Sequence, residues 1–389
     1  MTGMRRITPI IAGVPLLLSA CAYNQKPITA GIATPRSWHA TRDNTARIWP
    51  SPEWWRGFNS PELDRLIVQA GRNNLDLGAA AARSGIIGKR GGSDFAVNLG
   101  ASYEVDFWGR NSASVAAARA AVEASRYDQA TVALTVTTDV ADAYLQVLSD
   151  REQLTIARLN LANALQVLDV VNSRLQAGVV SRLDLAQQET LVAAQRAAIP
   201  PLRQQQQAAL NTLAILLGRP PQGFTVTARD LNGVTPPAVA PGMPSGLLAR
   251  RPDIQSAEAQ LAAADASIAA ARAALFPAVN LTASTGFENT ALDSLFSTNP
   301  LYSLAAAMAA PIFEGGRLRG QVDLAVARRR ELLKDYQSAI ISGFSDVETA
   351  LSSIDNLNRQ IAFQDQQLQQ AETAYRLARC NTRREPWTC

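Results

Sequence analysis

The sequence predicts a mostly α-helical protein with membrane β-strands: long antiparallel coiled-coil hairpins and barrel strands in two internal repeats, with a barrel that several copies complete together. Three observations predict this fold class. The 389 residues are 47% hydrophobic but only 6% aromatic, which is typical of helices rich in Ala and Leu. Two long segments share one heptad pattern. Three short segments alternate apolar and polar residues, as strands with one apolar face do.

The chain contains an internal repeat, which the heptads and an ungapped shift reveal together. Gly109 and Gly316 are 207 residues apart, and the same shift aligns Asp128 with Asp335. Two unrelated amphipathic helices in a soluble bundle are the alternative, but they would not share both features. The heptad positions are Val140, Val147, Leu154, Leu161, Leu168 and Leu175 in the first repeat and Val347, Ile354, Ile361, Leu368 and Tyr375 in the second.

The first repeat predicts an antiparallel helical hairpin over residues 112–217. Its first helix, from 112 to 177, would be roughly 100 Å long at 1.5 Å per residue. Gly178 is suited to end that helix, and the chain then turns back into a second helix. Pro200 and Pro201 are expected to kink or interrupt the returning helix, because proline lacks an N–H group.

Strands are predicted at residues 95–107, 279–287 and 302–312. Each is close to the ~9 to 11 residues that cross an outer membrane at a tilt. A soluble β-sandwich would show the same alternation. However, three strands cannot close a barrel, and an open sheet edge is not tolerated in lipid, so other copies must close it. We therefore expect a ring-shaped oligomer.

The N-terminus predicts an exported lipoprotein. Residues 1–20 combine Arg5 and Arg6 with an apolar stretch too short to span a bilayer, which is typical of a signal peptide. Leu18-Ser19-Ala20-Cys21 resembles the bacterial lipobox, in which the cysteine receives diacylglycerol and an N-acyl chain. An ordinary secretory signal with an incidental cysteine is the alternative. Ala22 instead of Asp after the cysteine favours the outer membrane.

Composition argues against several other classes of protein. The net charge of +4 comes without a basic block suited to phosphate backbones, so nucleic acid is not an expected partner. We find no nucleophile with a base, no phosphate-binding glycine loop and no metal-ligand spacing, so neither an enzyme nor a metal or other cofactor is expected. Cys380 and Cys389 either pair in an oxidising periplasm or stay free in an irregular tail.

Three stretches together resemble the TolC-like outer-membrane factor family, in particular its NodT-like lipoprotein branch in resistance, nodulation and division type efflux systems. They are Trp54-Trp55-Arg56-Gly57-Phe58, Tyr103-Glu104-Val105-Asp106-Phe107-Trp108-Gly109-Arg110 and Arg251-Pro252-Asp253-Ile254. The resemblance covers the chain from Cys21 to about Arg379.

The resemblance implies a homotrimer in the outer membrane, in which each subunit gives four strands to a twelve-stranded barrel and its helices to a periplasmic tunnel. Drugs or small metabolites would pass through this tunnel without being transformed. Its partners would be the lipid of the outer membrane, a periplasmic adaptor (membrane fusion) protein and an inner-membrane pump of the resistance, nodulation and division type. The family's adaptor-docking motif at the hairpin tip matches Gly178, Val179, Ser181, Leu183 and Asp184.

The expected domain organisation follows from the repeats. The segments are a signal peptide at 1–20, a lipid-anchored extension with the start of repeat one at 21–75, repeat one at 76–218, a Pro-rich linker at 219–252, repeat two at 253–379 and an irregular tail at 380–389. Repeat two should contain a helix at 253–276, the strands at 279–287 and 302–312, and a long helix at 318–379.

The sequence departs from the family in two places. Asp76 matches Asp253 at a shift of 177, whereas Gly109 matches Gly316 at 207, so repeat one lacks about 30 residues and one strand. A loop at 84–92 stands in their place, and residues 380–389 do not resemble the first hairpin's tip. A trimer would then have nine strands, an odd number that leaves a mismatched junction. The alternatives to a channel are a periplasmic coiled-coil scaffold lipoprotein and a truncated, inactive channel remnant.

Overall fold

The structure, a computed structural model, describes residues 30–35, 38, 51–83, 97–237, 239, 242, 244–287 and 301–383. The predicted signal peptide, Cys21, the loop at 84–92 and residues 384–389 lie outside the described residues. After a 3₁₀ turn at Trp54–Phe58, the elements are α1 (Pro61–Asn73), α2 (Leu75–Arg83), β1 (Val97–Val105), α3 (Arg110–Gln176), α4 (Arg182–Leu216), α5 (Pro244–Leu248), α6 (Pro252–Ala273), β2 (Ala278–Phe287), β3 (Leu301–Ala309) and α7 (Arg317–Arg383).

The described residues divide into two compact units. The first unit contains the three strands with the beginnings of α3 and α7 and most of α6; its described residues are 97–121, 260–287 and 301–333. The second unit contains α1, α2, α4, α5 and the remaining parts of α3, α6 and α7.

In the first unit the strands form one antiparallel sheet in the order β1-β2-β3. Each strand is slightly displaced from its predicted range. β1 ends at Val105 because the Asp106 carboxylate turns to accept hydrogen bonds from the amides of Asn111 (2.9 Å) and Ser112 (2.8 Å) at the start of α3. β3 ends at Ala309, three residues before the predicted 312, because Pro311 has no N–H for a strand ladder.

The core of the second unit lies where α1 packs against α3 and α4. Leu63 of α1, Tyr144 and Leu148 of α3 and Leu213 of α4 are almost completely buried in one cluster. Ser60 caps α1 and also shares a 3.0 Å hydrogen bond with the Tyr144 hydroxyl. Burial of side chains of this size contributes about 1.5 to 3 kcal/mol each, so α1 is held to the hairpin mainly by this cluster.

Polar contacts bind the connector after α4 to the same core. The Glu62 carboxylate accepts hydrogen bonds from the Thr227 amide (2.7 Å), the Thr227 hydroxyl (2.7 Å) and the Ala228 amide (2.9 Å). Partial burial raises the pKa of Glu62, but these donors and the nearby Arg65 outweigh that effect and leave the pKa below its usual value. Arg151 of α3 donates to the carbonyl oxygens of Val226 and Ala228. A Pro-rich connector is thus fixed by side chains of α1 and α3.

The returning helix α4 is not interrupted at Pro200 and Pro201, although interruption was one of the two outcomes expected there. It runs as one helix from Arg182 to Leu216. The adjacent Ile199 is buried against Leu154 and Ala157 of α3. Packing on α3 therefore offsets the backbone hydrogen bonds that the two prolines remove. α4 still ends near the predicted position, at Leu216, and Gly218 follows with a positive φ of 64°.

Two further segments differ from the prediction. The linker predicted at 219–252 contains a short helix, α5. The tail predicted to be irregular from Cys380 is helical as far as Arg383, because residues 380–383 contain neither Gly nor Pro and continue α7.

We predict that Glu62→Gln weakens the attachment of the connector. At neutral pH, amide exchange at Thr227 and Ala228 should rise about fivefold, equivalent to ~1 kcal/mol for a partly exposed charged acceptor. Hydrogen–deuterium exchange measures this change. Because the folded pKa of Glu62 is lowered from 4.5, its stabilisation is present above that pH and is lost as the pH falls through the folded pKa.

The difference between Glu62→Gln and the unchanged protein should therefore shrink in acid. Glu53→Gln is the control, since Glu53 pairs only with exposed Arg56 at the surface. Equal exchange in both variants at neutral pH would contradict the assignment.

Candidate functional site

The turn between α3 and α4, which we call the hairpin tip (residues 177–184), is closed by local hydrogen bonds. The Gly178 amide donates to Leu175 O and the Val179 amide to Arg174 O, both at 2.9 Å. This pair of bonds is the Schellman arrangement, which requires a left-handed residue at Gly178, where φ is 72°. Only glycine adopts that conformation without a steric cost.

The other side of the tip is a capping box. The Ser181 hydroxyl accepts a hydrogen bond from the Asp184 amide (3.3 Å), and the Asp184 carboxylate accepts one from the Ser181 amide (2.8 Å). Hydrogen bonds from the side chain and then the backbone of Ser181 lower the pKa of Asp184 below its usual value. Asp184 therefore remains ionised at neutral pH, at the positive end of the α4 dipole.

The capped tip presents apolar side chains to solvent. Val179 is 72% exposed and Leu183 is 65% exposed. Their backbone is already ordered by the caps on both sides, so binding a partner would cost little further backbone entropy. All five residues of the predicted docking motif thus lie together at the hairpin tip, with Gly178, Val179 and Ser181 between the helices and Leu183 and Asp184 in the first turn of α4.

The sheet has one apolar and one polar face. Tyr103 pairs with Leu281, which pairs with Ala306; Val105, Val279 and Met308 form the next apolar row. On the opposite face, Ser102 pairs with Thr282 and Ser284 pairs with Ser303, whose hydroxyl groups are 2.7 Å apart. The side chains of Tyr103, Leu304 and Met308 are largely exposed. This arrangement suits a wall between lipid and water.

The junction of strands and helices is held by an aromatic contact that the sequence motif did not reveal. Trp108 stacks on Phe276, with ring centroids 4.7 Å apart, and its indole N–H donates to Pro277 O at 2.7 Å. Arg110 forms an ion pair with Glu104 at 2.5 Å. The Trp108 contacts join the turn after β1 to the segment before β2, and the ion pair joins β1 to α3. These residues border a cavity of about 280 Å³.

The two heptad seams differ in their surroundings. In α3, Val140 and Val147 are fully buried, and Leu154 is 5% exposed. In α7, the matching Val347 is half-buried, and the matching Ile354 and Ile361 are 39% and 54% exposed. The next two positions of the seam, Leu368 and Tyr375, are 57% and 65% exposed. Within the described residues, no helix covers this part of α7 as α4 covers α3.

The strands also differ between repeats. α2 begins where α6 begins in the second repeat, but α2 has 9 residues and α6 has 22. In the second repeat α6 is followed by both β2 and β3, whereas the described part of the first repeat contains only β1. The described residues thus contain three strands, and the segment at 84–92, where the deletion is predicted, lies outside them.

Comparison with known proteins identifies the fold's family. The model of the family "Outer membrane efflux protein" matches residues 66–219 and 243–383. The chain belongs to this family. It is an outer-membrane channel protein of an efflux system, so the predicted fold class, localisation and general function are confirmed.

Three relatives illustrate the similarity of this efflux protein to known ones. The Pyoverdine export outer membrane protein OpmQ of Pseudomonas aeruginosa is 43% identical, over 93% of this chain and 85% of OpmQ. The Probable outer membrane lipoprotein SilC of Salmonella typhimurium is 31% identical, over 84% of this chain and 77% of SilC. The solved structure of the outer-membrane channel OprN superposes with a TM-score of 0.80 at 25% identity, covering 92% of this chain and 89% of OprN.

The OpmQ alignment is consistent with the internal deletion. It spans 403 positions, whereas 93% of the 389 residues is about 362, so about 40 positions have no residue of this chain.

Two further expectations from the sequence concern the lipidation site and the absence of a metal site. Cys21 lies outside the described residues. Among the described residues, no group of three or more His, Cys, Asp or Glu side chains could hold a metal ion. The contacts missed at sequence level, between Trp108 and Phe276 and between Glu62 and Thr227, join residues more than 160 positions apart, so no local pattern could have revealed them.

We predict that Gly178→Ala loosens the hairpin tip. A Cβ at this position would meet no atom within 4 Å, so the effect is the conformational cost of φ 72°, about 1 to 2 kcal/mol. Amide exchange at Val179 should rise about tenfold, because 1.4 kcal/mol is a factor of ten.

Gly71→Ala is the matched control, since Gly71 lies in α1 with equally open space and no positive φ. That variant should leave exchange at the tip unchanged. If both glycine variants behave alike, the tip does not depend on a left-handed residue.

Proposed function

We propose that this efflux protein is the homotrimeric outer-membrane duct of a tripartite system that exports small organic metabolites passively. The observation that carries the proposal is the sheet, whose apolar and polar faces each extend over three strands and whose two edges need partners in lipid. A coiled-coil scaffold would need no strands with a lipid-compatible face. No chemical transformation of the cargo is part of this function.

The proposed substrate class rests on similarity to OpmQ, whose name states pyoverdine export, at 43% identity. The polar face of the sheet offers hydroxyl groups and small side chains, including Ser102, Thr282, Ser284 and Ser303. Such a surface forms hydrogen bonds with a polar solute or its hydration water without a specific pocket. We therefore propose a polar secreted metabolite of the pyoverdine class as cargo.

The hairpin tip is the proposed docking site for a periplasmic adaptor protein, which would connect the duct to an inner-membrane pump of the resistance, nodulation and division type. Val179 and Leu183 supply apolar contact area, and the ionised Asp184 supplies a charge beside it. Gly178 and Ser181 act by holding the turn.

The proposed membrane anchor is a diacylglycerol and an N-acyl chain on Cys21. The lipobox-like sequence and the name of SilC as a probable outer membrane lipoprotein support it. Several acyl chains are needed because a single one binds membranes only marginally.

Fractionation of cell envelopes followed by native sizing in detergent tests the proposed duct. We expect the full chain in the outer membrane as a trimer, and radiolabelled palmitate incorporated in it. Cys21→Ser should abolish the label, whereas Cys380→Ser should retain it. A monomer, or a soluble periplasmic chain, would rule out the duct, and a labelled Cys21→Ser variant would rule out the anchor.

Export itself tests the tip. In Pseudomonas aeruginosa cells lacking OpmQ, the chain should restore secretion of fluorescent pyoverdine to the medium. Val179→Asp combined with Leu183→Asp should lower that secretion at least tenfold at an unchanged outer-membrane level, because charges cannot replace apolar contacts. Val179→Ile combined with Leu183→Met, which keeps the surface apolar, is the control. Full secretion with the aspartates would exclude these residues from docking.

A further inference from the structure

We propose that the turns joining the strands to the helices carry an apolar belt that inserts into the phospholipid leaflet facing the periplasm, and that two arginines beside the belt bind lipid phosphates. This inference rests on the proposed duct and specifies which residues set its position in the membrane. The partner is a lipid surface with anionic headgroups. The belt residues are Phe107, Leu275, Ile312 and Phe313, and the arginines are Arg272 and Arg319.

Three turns connect the sheet to helices in the first unit, and all three meet at one end of the sheet. They are the β1–α3, α6–β2 and β3–α7 turns. Val105 at the end of β1 is opposite Val279 near the start of β2, and Val279 is opposite Met308 near the end of β3. The turns therefore lie side by side across the width of the sheet.

Each of these turns exposes at least one large apolar side chain. Phe107 is 54% exposed, Leu275 is 40% exposed, and Ile312 and Phe313 are 96% and 89% exposed. Single exposed apolar residues are normal on a protein surface. A set drawn from every connection at one end of a sheet is instead typical of a surface that binds a partner or a membrane.

Backbone hydrogen bonds order the three turns. The Phe107 amide donates to Val105 O at 2.9 Å, and the Arg317 amide donates to Glu314 O at 3.0 Å. In the α6–β2 turn, the Leu275 amide donates to the carbonyl oxygen three residues before it, at 3.1 Å. The belt is thus presented by an ordered backbone, so insertion into lipid costs little further conformational entropy.

The belt lies on the side away from the polar face of the sheet. Three of the four strand residues that line the junction cavity belong to the polar face, because they alternate with the apolar rows: Glu104, Ala278 and Ala309. The direct neighbours of two belt residues, Trp108 and Phe276, also line this cavity. None of the four belt residues does. We therefore place the belt on the side of the apolar face.

The width of the belt favours lipid over a neighbouring copy as its partner. A neighbour in a ring meets a sheet at its edge strands, whereas Leu275 precedes β2, which lies between β1 and β3. In the proposed duct the apolar face borders hydrocarbon, and the belt extends this face at the end next to the helices. Aromatic and other large apolar side chains at this level are typical of the border between hydrocarbon and headgroups.

Two arginines give the belt charge complementarity to phospholipid. Arg272 is in the last turn of α6, and Arg319 is in the first turn of α7; both are exposed. Neither forms an ion pair or a side-chain hydrogen bond with a described residue, whereas Arg317 pairs with Glu314 at 2.8 Å. A guanidinium group donates parallel N–H bonds to phosphate oxygens. Lipid phosphates would supply the partners that the two arginines lack among the described residues.

Fluorescence quenching tests the belt, using the full chain with Cys380→Ser and Cys389→Ser. Phe313→Cys is labelled with bimane, and the purified trimer is reconstituted into vesicles of phosphatidylglycerol and phosphatidylethanolamine. The high exposure of Phe313 means that the change removes little packing. Lipids with a nitroxide near the headgroup end of the acyl chain should quench the label roughly twofold or more, because interfacial side chains lie about 5 to 10 Å into this boundary. Iodide in the water should quench it only weakly.

Ser303→Cys, on the polar face of β3, is the matched control. Its label should be quenched by iodide and not by the lipid nitroxide. The same chain without either new cysteine is the blank for labelling. Native sizing of every sample shows whether the trimer is present, so failure of the belt and failure of the duct are distinguishable.

Three results would overturn the belt. A Phe313→Cys label that only iodide reaches would lie in water, and a label that neither quencher reaches would be covered by a neighbouring copy. Loss of the trimer in this variant alone would mean that Phe313 packs against another copy. A monomer in every sample would overturn the duct itself.

Selective lipid binding tests the arginines. Arg272→Gln combined with Arg319→Gln should lower the association of spin-labelled phosphatidylglycerol, relative to phosphatidylcholine, by about fivefold or more at low salt, because each arginine near an anionic surface contributes about that factor. Arg119→Gln combined with Arg330→Gln is the matched control, since these exposed arginines lie further along α3 and α7. An equal loss in both double variants, or no loss in either, would exclude Arg272 and Arg319 from phosphate binding.

Discussion

The outer edges of β1 and β3, whose backbone groups have no strand partner among the described residues, constrain the rest of this molecule. Water can satisfy such groups at the surface of a soluble protein, but hydrocarbon cannot, and each unsatisfied group there costs several kcal/mol. A three-stranded sheet with an apolar face therefore has no stable place in a bilayer as a single copy. Membrane insertion and association must be coupled, so the trimer is a condition for the channel.

The helices obey a related constraint, because a heptad seam must be covered. In the first hairpin α4 covers the α3 seam, and Ala143, Ala157 and Ala164 allow the two helices to approach closely. The same column of small side chains explains how α4 tolerates Pro200 and Pro201, since packing, and not local propensity, holds it. From Ile354 onwards, the second seam along α7 has no such cover in the described part of the chain. The two repeats therefore share the seam in sequence but differ in how it is packed.

Local patterns were enough to predict the long helices, the strands and the helix end at Gly178, because each depends on residues within a few positions. The capping box of Ser181 and Asp184 is equally local but was not predicted. Local patterns could not predict contacts across long separations. Glu62 accepts hydrogen bonds from Thr227, and Trp108 stacks on Phe276, only after the chain has folded. Helices α1 and α5 were also missed, because tertiary burial of Leu63 and Leu247 stabilises such short segments more than their periodicity does. The deletion, by contrast, could be predicted from the sequence, because the second repeat of the same chain shows which residues the first repeat lacks.

The exposed part of the α7 seam affects the turnover of the protein in the cell. A row of uncovered Ile, Leu and Tyr side chains is the kind of surface that periplasmic chaperones bind and proteases exploit before assembly is complete. The steady-state amount of the protein then depends on the rate of association in the membrane relative to the rate of degradation outside it.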